Sequence, residues 1–135
     1  MTIIGIGCDI LFIPRITKIS NSPSRLNKIA KKIMHETEYE NFSKLIHSQN
    51  KKLTVSYFAS IWCCKEAYYK SLTYNEQKKT PFFQICRQFY KANNIYENNK
   101  PVIINPSDHE KNIKVHISLS HDTDYVTSYI IREKL

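Results

Sequence analysis

The stretch Thr54–Leu72, TVSYFASIWCCKEAYYKSL, predicts the long central helix around which the rest of the chain is organised. Its apolar side chains recur at steps of three and four residues and so share one helix face: Val55, Phe58, Ala59, Trp62 and Tyr69. Steps of four from Trp62 then reach Glu66 and Lys70. A buried charge is costly unless it is paired or bound to a metal, so Glu66 and Lys70 form a candidate site. The alternative is an ordinary surface pair, which stabilises a helix only slightly.

Composition and charge limit the classes of protein to which this chain can belong. The 135 residues, with 41% hydrophobic and 12% aromatic content, predict one globular domain over residues 1–135. Twenty basic residues against twelve acidic ones give a net charge of +8. That excess predicts an acidic partner, which could be nucleic acid, an anionic membrane, a phosphate-rich ligand or an acidic protein.

The spacing of the cysteines and the apolar N-terminal segment indicate the cellular compartment. Cys8, Cys63, Cys64 and Cys86 form neither a CxxC pair nor a zinc-binding pattern with histidine. We interpret them as reduced thiols of an intracellular, reducing compartment. The opening apolar run is short, is interrupted by Asp9 and lacks a basic flank, so we expect neither a signal peptide nor a membrane span.

The opening run Ile3–Phe12, IIGIGCDILF, is β-branched and apolar and predicts a buried strand. It contains the only two glycines, Gly5 and Gly7, which indicates that another element approaches this backbone closely. Asp9 is a lone carboxylate in this apolar strand and is the third candidate site residue. Alternatively, it caps the next helix or marks the end of the strand.

The remaining segments predict an α+β fold. Further helices are expected at Pro14–Ser20, at Ser24–Met34 and after a capping box of Thr37 with Glu40. The first two are strongly basic, which usually means only a solvated helix face. After Leu72 we expect loops at Thr73–Thr80 and Pro106–Lys111, with strands between and beyond them: Phe82–Lys91, Val102–Ile104, Lys114–Ser120 and Tyr125–Arg132. A turn at YENNKP favours a left-handed Asn98 or Asn99. Helices followed by antiparallel strands are typical of α+β proteins.

Asp9 and Glu66, from a strand and a helix, are the kind of oxygen ligands that hold Mg²⁺. Lys70, one turn from Glu66, would lie near a bound phosphate as donor and counter-charge. On the predicted strand Lys114–Ser120, the polar row His116, Ser118 and Ser120 offers further phosphate or base contacts. Together these residues favour metal-assisted phosphoryl transfer.

Three blocks of the chain resemble the holo-acyl carrier protein synthase family, the small 4′-phosphopantetheinyl transferases: IIGIGCDILFIPRI, FASIWCCKEAYYKSL and VHISLSHDTDYVTSYII. The G-x-D and K-E-A-x-x-K motifs are the diagnostic parts. The resemblance implies the α+β phosphopantetheinyl transferase fold, with an N-terminal strand, one long central helix and a later antiparallel sheet. It also implies a homotrimer with active sites between subunits. The implied reaction moves 4′-phosphopantetheine from coenzyme A to a serine of an acyl carrier protein and releases adenosine 3′,5′-bisphosphate.

The same resemblance implies residue roles. Asp9 and Glu66 fall on the family's Mg²⁺ ligands and Lys70 on its active-site lysine, so these three are the expected catalytic residues. Arg15 and Arg25 fall on the basic helices that receive the carrier protein. His116 and Ser118, with Lys70, are expected to bind coenzyme A. The chain departs from the family pattern at Ile61, commonly arginine, and at Thr73–Asn75, commonly Gly-x-Gly.

Two other functions are compatible with the sequence. A basic α+β module that binds nucleic acid would use the +8 charge but leaves Asp9 and Glu66 unexplained, and no known nucleic-acid motif is present, so we expect no nucleic-acid partner. A catalytically silent relative could bind coenzyme A or the carrier protein without transfer. We expect a mitochondrial location, with the cytoplasm as the alternative.

Overall fold

The computed structural model describes residues 1–135, and its long central helix crosses a three-stranded sheet. The elements before and including that helix are β1 Thr2–Phe12, α1 Ile13–Ile19, α2 Pro23–Ile33, α3 Glu36–His47 and α4 Lys51–Ser71. Those after it are α5 Tyr74–Lys79, α6 Phe82–Cys86, β2 Tyr90–Asn94, a 3₁₀ turn Ile95–Glu97, β3 Lys100–Ile104, α7 Pro106–Glu110, β4 Ile113–Asp122 and β5 Tyr125–Lys134. The main sheet is antiparallel in the order β1-β5-β4, and β2 and β3 form a separate hairpin. The predicted α+β class, N-terminal strand and central helix are confirmed. The expectation that the whole N-terminal strand is buried is wrong, because Ile3, Ile6 and Ile10 on one of its faces are exposed.

Glycines in β1 allow α4 to lie directly on the sheet backbone. A Cβ atom on Gly5 would stand 1.9 Å from the Ser71 carbonyl oxygen, and one on Gly7 would stand 1.8 Å from that of Ala67. No side chain fits in either gap, so the predicted close approach to this backbone is confirmed. Because side chains alternate along a strand, Asp9 shares the face of Gly5 and Gly7 and points to the α4 side of the sheet.

The core surrounds α4 more completely than one apolar stripe suggests. Val55, Phe58 and Ala59 are buried as expected, whereas Trp62 and Tyr69 are only half-buried. Positions outside that stripe are buried as well, because the sheet lies on one side and helices pack on the others. They include Ile61, Cys63, Cys64, Lys65, Ala67 and Tyr68. Ile61 therefore serves the core and does not reach solvent.

Three predicted loops or strands are wrong because short helices replace them. The expected loop Thr73–Thr80 contains α5, whose capping box pairs Thr73 with Glu76. The expected strand Phe82–Lys91 divides into α6 and the start of β2. The expected loop Pro106–Lys111 contains α7, which Asn105 caps and which begins with proline. In each case a local cap, a proline or packing favoured a short helix over the loop or strand that residue propensities predict.

Two local predictions at chain turns had different outcomes. The capping box of α3 is formed by His35 and Glu38, so the predicted cap of Thr37 with Glu40 is wrong. Asn98 and Asn99 both have positive φ, at 54° and 56°, which confirms the left-handed turn.

All four cysteines are free thiols, and only Cys8 is exposed. None of the helices combines the length and the apolar character that crossing a membrane requires.

Candidate active site

An ion pair joins β1 to the last turn of α4. The Lys70 ammonium donates a hydrogen bond to Asp9 Oδ1 at 2.8 Å, although the two residues lie 61 positions apart in the chain. Asp9 is 14% exposed and Lys70 is 51% exposed, so the pair stands at the edge of the core with its ammonium open to solvent. The hydrogen bond to Asp9 raises the pKa of Lys70, which keeps the ammonium charged.

Glu66 lies one helical turn before Lys70 and is half-buried. Burial raises the pKa of Glu66, the negative charge of Asp9 raises it further, and the Lys70 charge lowers it. Asp9 therefore lies close enough to Glu66 for its charge to affect that carboxylate. The site combines two carboxylates with one ammonium at the contact between β1 and α4.

The donor set of this site suits a hard cation. Mg²⁺ prefers oxygen and is usually held by one or two carboxylates, with water and substrate phosphates filling its other positions. Asp9 and Glu66 supply such a pair, whereas no group of three or more histidine, cysteine or acidic side chains is present for a fully protein-bound metal. These residues fit magnesium shared with a phosphate ligand.

The polar row of β4 lies on the other face of the sheet. His116 and Ser118 stand opposite Ile131 and Tyr129 of β5, whose side chains are exposed. His116 Nε2 lies 3.0 Å from Glu133 Oε2. Both polar residues line a cavity of about 600 Å³ beside the β2–β3 hairpin. Within one chain, the structure does not bring them together with Asp9 and Glu66.

Arg15 and Arg25 are exposed on α1 and α2, and neither belongs to a salt bridge within the chain. Their charges are therefore available to an external partner.

Two buried ionic groups were missed by the sequence analysis. Lys65 and Glu38 form one of them, at 2.6 Å, with both side chains almost fully buried. The second joins Arg132 to Glu76 and Asp108. One signal was available for Lys65, because it follows Ile61 by four residues and precedes Tyr68 by three on a buried helix face.

Comparison with known proteins identifies the family of this chain. The family model of the 4′-phosphopantetheinyl transferase superfamily matches residues 5–130. A holo-acyl-carrier-protein synthase from Wolbachia pipientis is 36% identical over 132 residues, which cover 96% of each chain. A mitochondrial holo-acyl-carrier-protein synthase from Saccharomyces cerevisiae is 41% identical over 81 residues, which cover 52% of this chain and 46% of the yeast protein.

The fold has solved counterparts. The crystal structure of a holo-acyl-carrier-protein synthase from Bacillus anthracis, in complex with coenzyme A, superposes with a TM-score of 0.71 at 22% identity and covers both chains completely. That likeness concerns the fold, and the sequence matches concern the family. On the sequence matches, the chain belongs to the holo-acyl-carrier-protein synthase family of the 4′-phosphopantetheinyl transferase superfamily.

Proposed function

We propose that this chain transfers 4′-phosphopantetheine from coenzyme A to a serine of an apo-acyl carrier protein and releases adenosine 3′,5′-bisphosphate. The observation that carries the proposal is the meeting of Asp9, Glu66 and Lys70 at one site in a member of this family. The basic surface suits an acidic carrier protein, and the Lys70 ammonium suits the phosphates of the coenzyme.

Asp9 and Glu66 would hold Mg²⁺, which when bound neutralises charge on the diphosphate of the coenzyme. The serine oxygen attacks the phosphorus on the pantetheine side, and the bond from that phosphorus to the bisphosphate oxygen breaks. Glu66 accepts the serine proton. Lys70 donates to the departing bisphosphate, which gains negative charge as the bond breaks.

Mass spectrometry tests this function directly. The chain is incubated with coenzyme A, Mg²⁺ and an apo-acyl carrier protein, and the carrier is examined for a phosphopantetheine adduct. We expect the adduct with Mg²⁺ and its loss when EDTA is added. Coenzyme binding without an adduct would indicate a catalytically silent relative, and binding to nucleic acid with a steep salt dependence would support the other alternative.

We also propose that three copies assemble through the outer face of the main sheet. That face exposes a contiguous set of large apolar side chains, an arrangement that marks protein interfaces: Ile6, Ile10, Phe12, Tyr129 and Ile131. His116 and Ser118 lie on the same face, so contact between copies would allow them to serve the site of a neighbouring chain.

Sedimentation equilibrium is expected to give three times the 15.9 kDa chain mass. Ile6→Glu places a charge in the apolar face and should shift the protein to the monomer, because an unpaired charge is costly in a dry interface. Leu53→Glu is the matched control, since Leu53 is exposed in the first turn of α4, which packs on the opposite side of the sheet. A monomeric wild-type chain at assay concentration would contradict the trimer.

Carrier docking on α1 and α2 gives a further prediction. Arg15→Ala is expected to raise KM for the carrier protein about tenfold, equivalent to about 1.4 kcal/mol, because an exposed cation facing an acidic partner is lost. KM for coenzyme A should change little. Steady-state kinetics with each substrate varied in turn measures both constants, with Arg25→Ala as a second basic variant. A rise confined to the coenzyme KM would contradict docking at Arg15.

The enzyme is proposed to work in a reducing intracellular compartment, which the four free thiols support. The yeast relative supports a mitochondrial location, and the bacterial relatives support the cytoplasm as the alternative. Fractionation of the source cells, followed by detection of the chain, distinguishes these locations.

A further inference from the structure

Arg132 of β5 holds the helix that follows the active-site lysine. It is 1% exposed, and its guanidinium donates two parallel hydrogen bonds to Glu76 of α5: Nη1 to Oε2 at 2.9 Å and Nη2 to Oε1 at 2.8 Å. These hydrogen bonds lower the pKa of Glu76 to about 2, so the carboxylate is charged throughout the working pH range. The bidentate geometry fixes both the distance and the orientation of α5 relative to the sheet.

The guanidinium is itself anchored from a third element. Arg132 Nη2 also donates to Asp108 Oδ1 of α7 at 3.0 Å, and the Tyr68 hydroxyl donates to Asp108 Oδ2 at 2.6 Å. Arg132 Nε is buried without a hydrogen-bond partner. Buried ion pairs of this kind are often no more stabilising than apolar packing, and an unsatisfied N–H adds a cost. Placement of α5 is therefore a better account of the cluster than stability.

Glu76 also binds the residue at the junction between α4 and α5. Its Oε2 accepts hydrogen bonds from the Thr73 backbone N–H at 2.8 Å and from the Thr73 hydroxyl at 3.0 Å. The next residue, Gln77, donates from Nε2 to the carbonyl oxygen of Tyr69 at 2.9 Å. One acidic side chain thus caps α5 and ties it to β5, while its neighbour ties α5 back to α4.

Lys70 lies in the last turn of α4, between two backbone carbonyls that are held in place. On its N-terminal side, the Tyr69 carbonyl is held by Gln77. On its C-terminal side, the Ser71 carbonyl rests against Gly5 of β1, which is the register partner of Arg132. The backbone that carries Lys70 is therefore held by α5 and by the sheet, and Arg132 connects both.

We propose that Glu76 and Arg132 are positioning residues for Lys70. By fixing α5 against β5, they hold the last turn of α4 so that the Lys70 ammonium stays within reach of Asp9 and of the coenzyme diphosphate. This role rests on the proposed transferase function. Their effect on the reaction is indirect and passes through Lys70.

A double-mutant cycle tests the proposal. Glu76→Ala is expected to lower kcat about tenfold, because small misplacements of a catalytic group cost rates of this order or more, while KM for the carrier protein stays near the wild-type value. In a Lys70→Ala background, the same Glu76→Ala change should have no further effect on kcat or on coenzyme A affinity measured by calorimetry. Amide exchange should increase across residues 69–79.

Matched variants separate positioning from general damage. Glu40→Gln removes one carboxylate from an exposed position of α3 and should leave all constants unchanged. Thr73→Ala disrupts the same cap without changing charge, so it should act in the same direction as Glu76→Ala and should also have no effect in the Lys70→Ala background. It provides the test if Glu76→Ala does not fold.

Different outcomes would overturn the positioning role and the proposed transferase function. A wild-type chain that transfers normally, together with an additive loss in the double variant or an unchanged kcat in Glu76→Ala, would overturn the positioning role alone. A wild-type chain that neither binds coenzyme A nor modifies a carrier would overturn the proposed function and this role with it.

Discussion

Glu66→Gln is expected to lower kcat/KM for transfer to the carrier protein at least about 100-fold, with no loss of fold. The amide cannot accept the serine proton, and it is a weaker cation ligand than a carboxylate. The substitution is nearly isosteric at a half-buried position, so the packing of α4 on β1 should persist. Transfer is measured by mass spectrometry, and folding by circular dichroism and thermal melting.

Titration of Glu66 in the metal-free protein tests its surroundings independently. Burial and the Asp9 charge raise the pKa of Glu66, so without metal its carboxylate should become protonated at a pH above the ordinary glutamate value of 4.5. Removing the Asp9 charge by Asp9→Asn should move that titration, followed by NMR, to lower pH. Near-normal turnover by Glu66→Gln, set beside an unaffected Glu40→Gln control, would refute the assignment.

Lys65→Met is expected to destabilise the chain by about 3–5 kcal/mol, because it leaves a buried carboxylate without its cation. Lys65 is fully buried and lies 2.6 Å from Glu38, and its ammonium also donates to the carbonyl oxygens of Cys86 and Phe89 at 2.7 Å each. Glu38 in turn accepts the backbone N–H of Lys91. The pair thus joins α3, α4 and the segment that enters β2.

Urea unfolding at neutral pH measures this loss. Adding Glu38→Gln to Lys65→Met should restore part of the stability, because the unpaired charge is then removed. Lys44→Met is the matched control: its partner Glu40 is 3.9 Å away and both side chains are more than 70% exposed, so less than about 1 kcal/mol is expected. A similar small loss for Lys65→Met would show that the buried pair contributes little.

Sequence reasoning was most successful where the signal was local and strong. The β-branched opening predicted β1, the apolar spacing predicted α4, and the clean alternation of residues 114–120 predicted β4. It was least successful after Leu72, where α5, α6 and α7 are only five or six residues long. Such helices are too short to show a periodic stripe, and they depend on caps and packing for their stability. The spacing of Thr73 and Glu76 and the Asn105–Pro106 pair were the usable signals there.

The buried ionic groups show a second limit of prediction from sequence. Glu38 and Lys65 are separated by 27 residues of sequence, and Glu76 and Arg132 by 56, so neither pairing follows from local pattern. Taken alone, each of these charged residues would be expected on the protein surface. Only the packing of α3 and α5 against their neighbours shows that these side chains are buried and paired.

The sequence by itself determined the α+β class, the strand and helix that carry Asp9, Glu66 and Lys70, and the family motifs, because these depend on periodicity and residue type within single segments. Only the tertiary structure decided that Lys70 contacts Asp9, that His116 and Ser118 face away from this site within one chain, and that Arg132 is buried under α5. These facts depend on strand register and on how α4 crosses the sheet. Both involve contacts between residues distant in sequence, because β1 pairs with β5 at the other end of the chain and α4 packs on both strands.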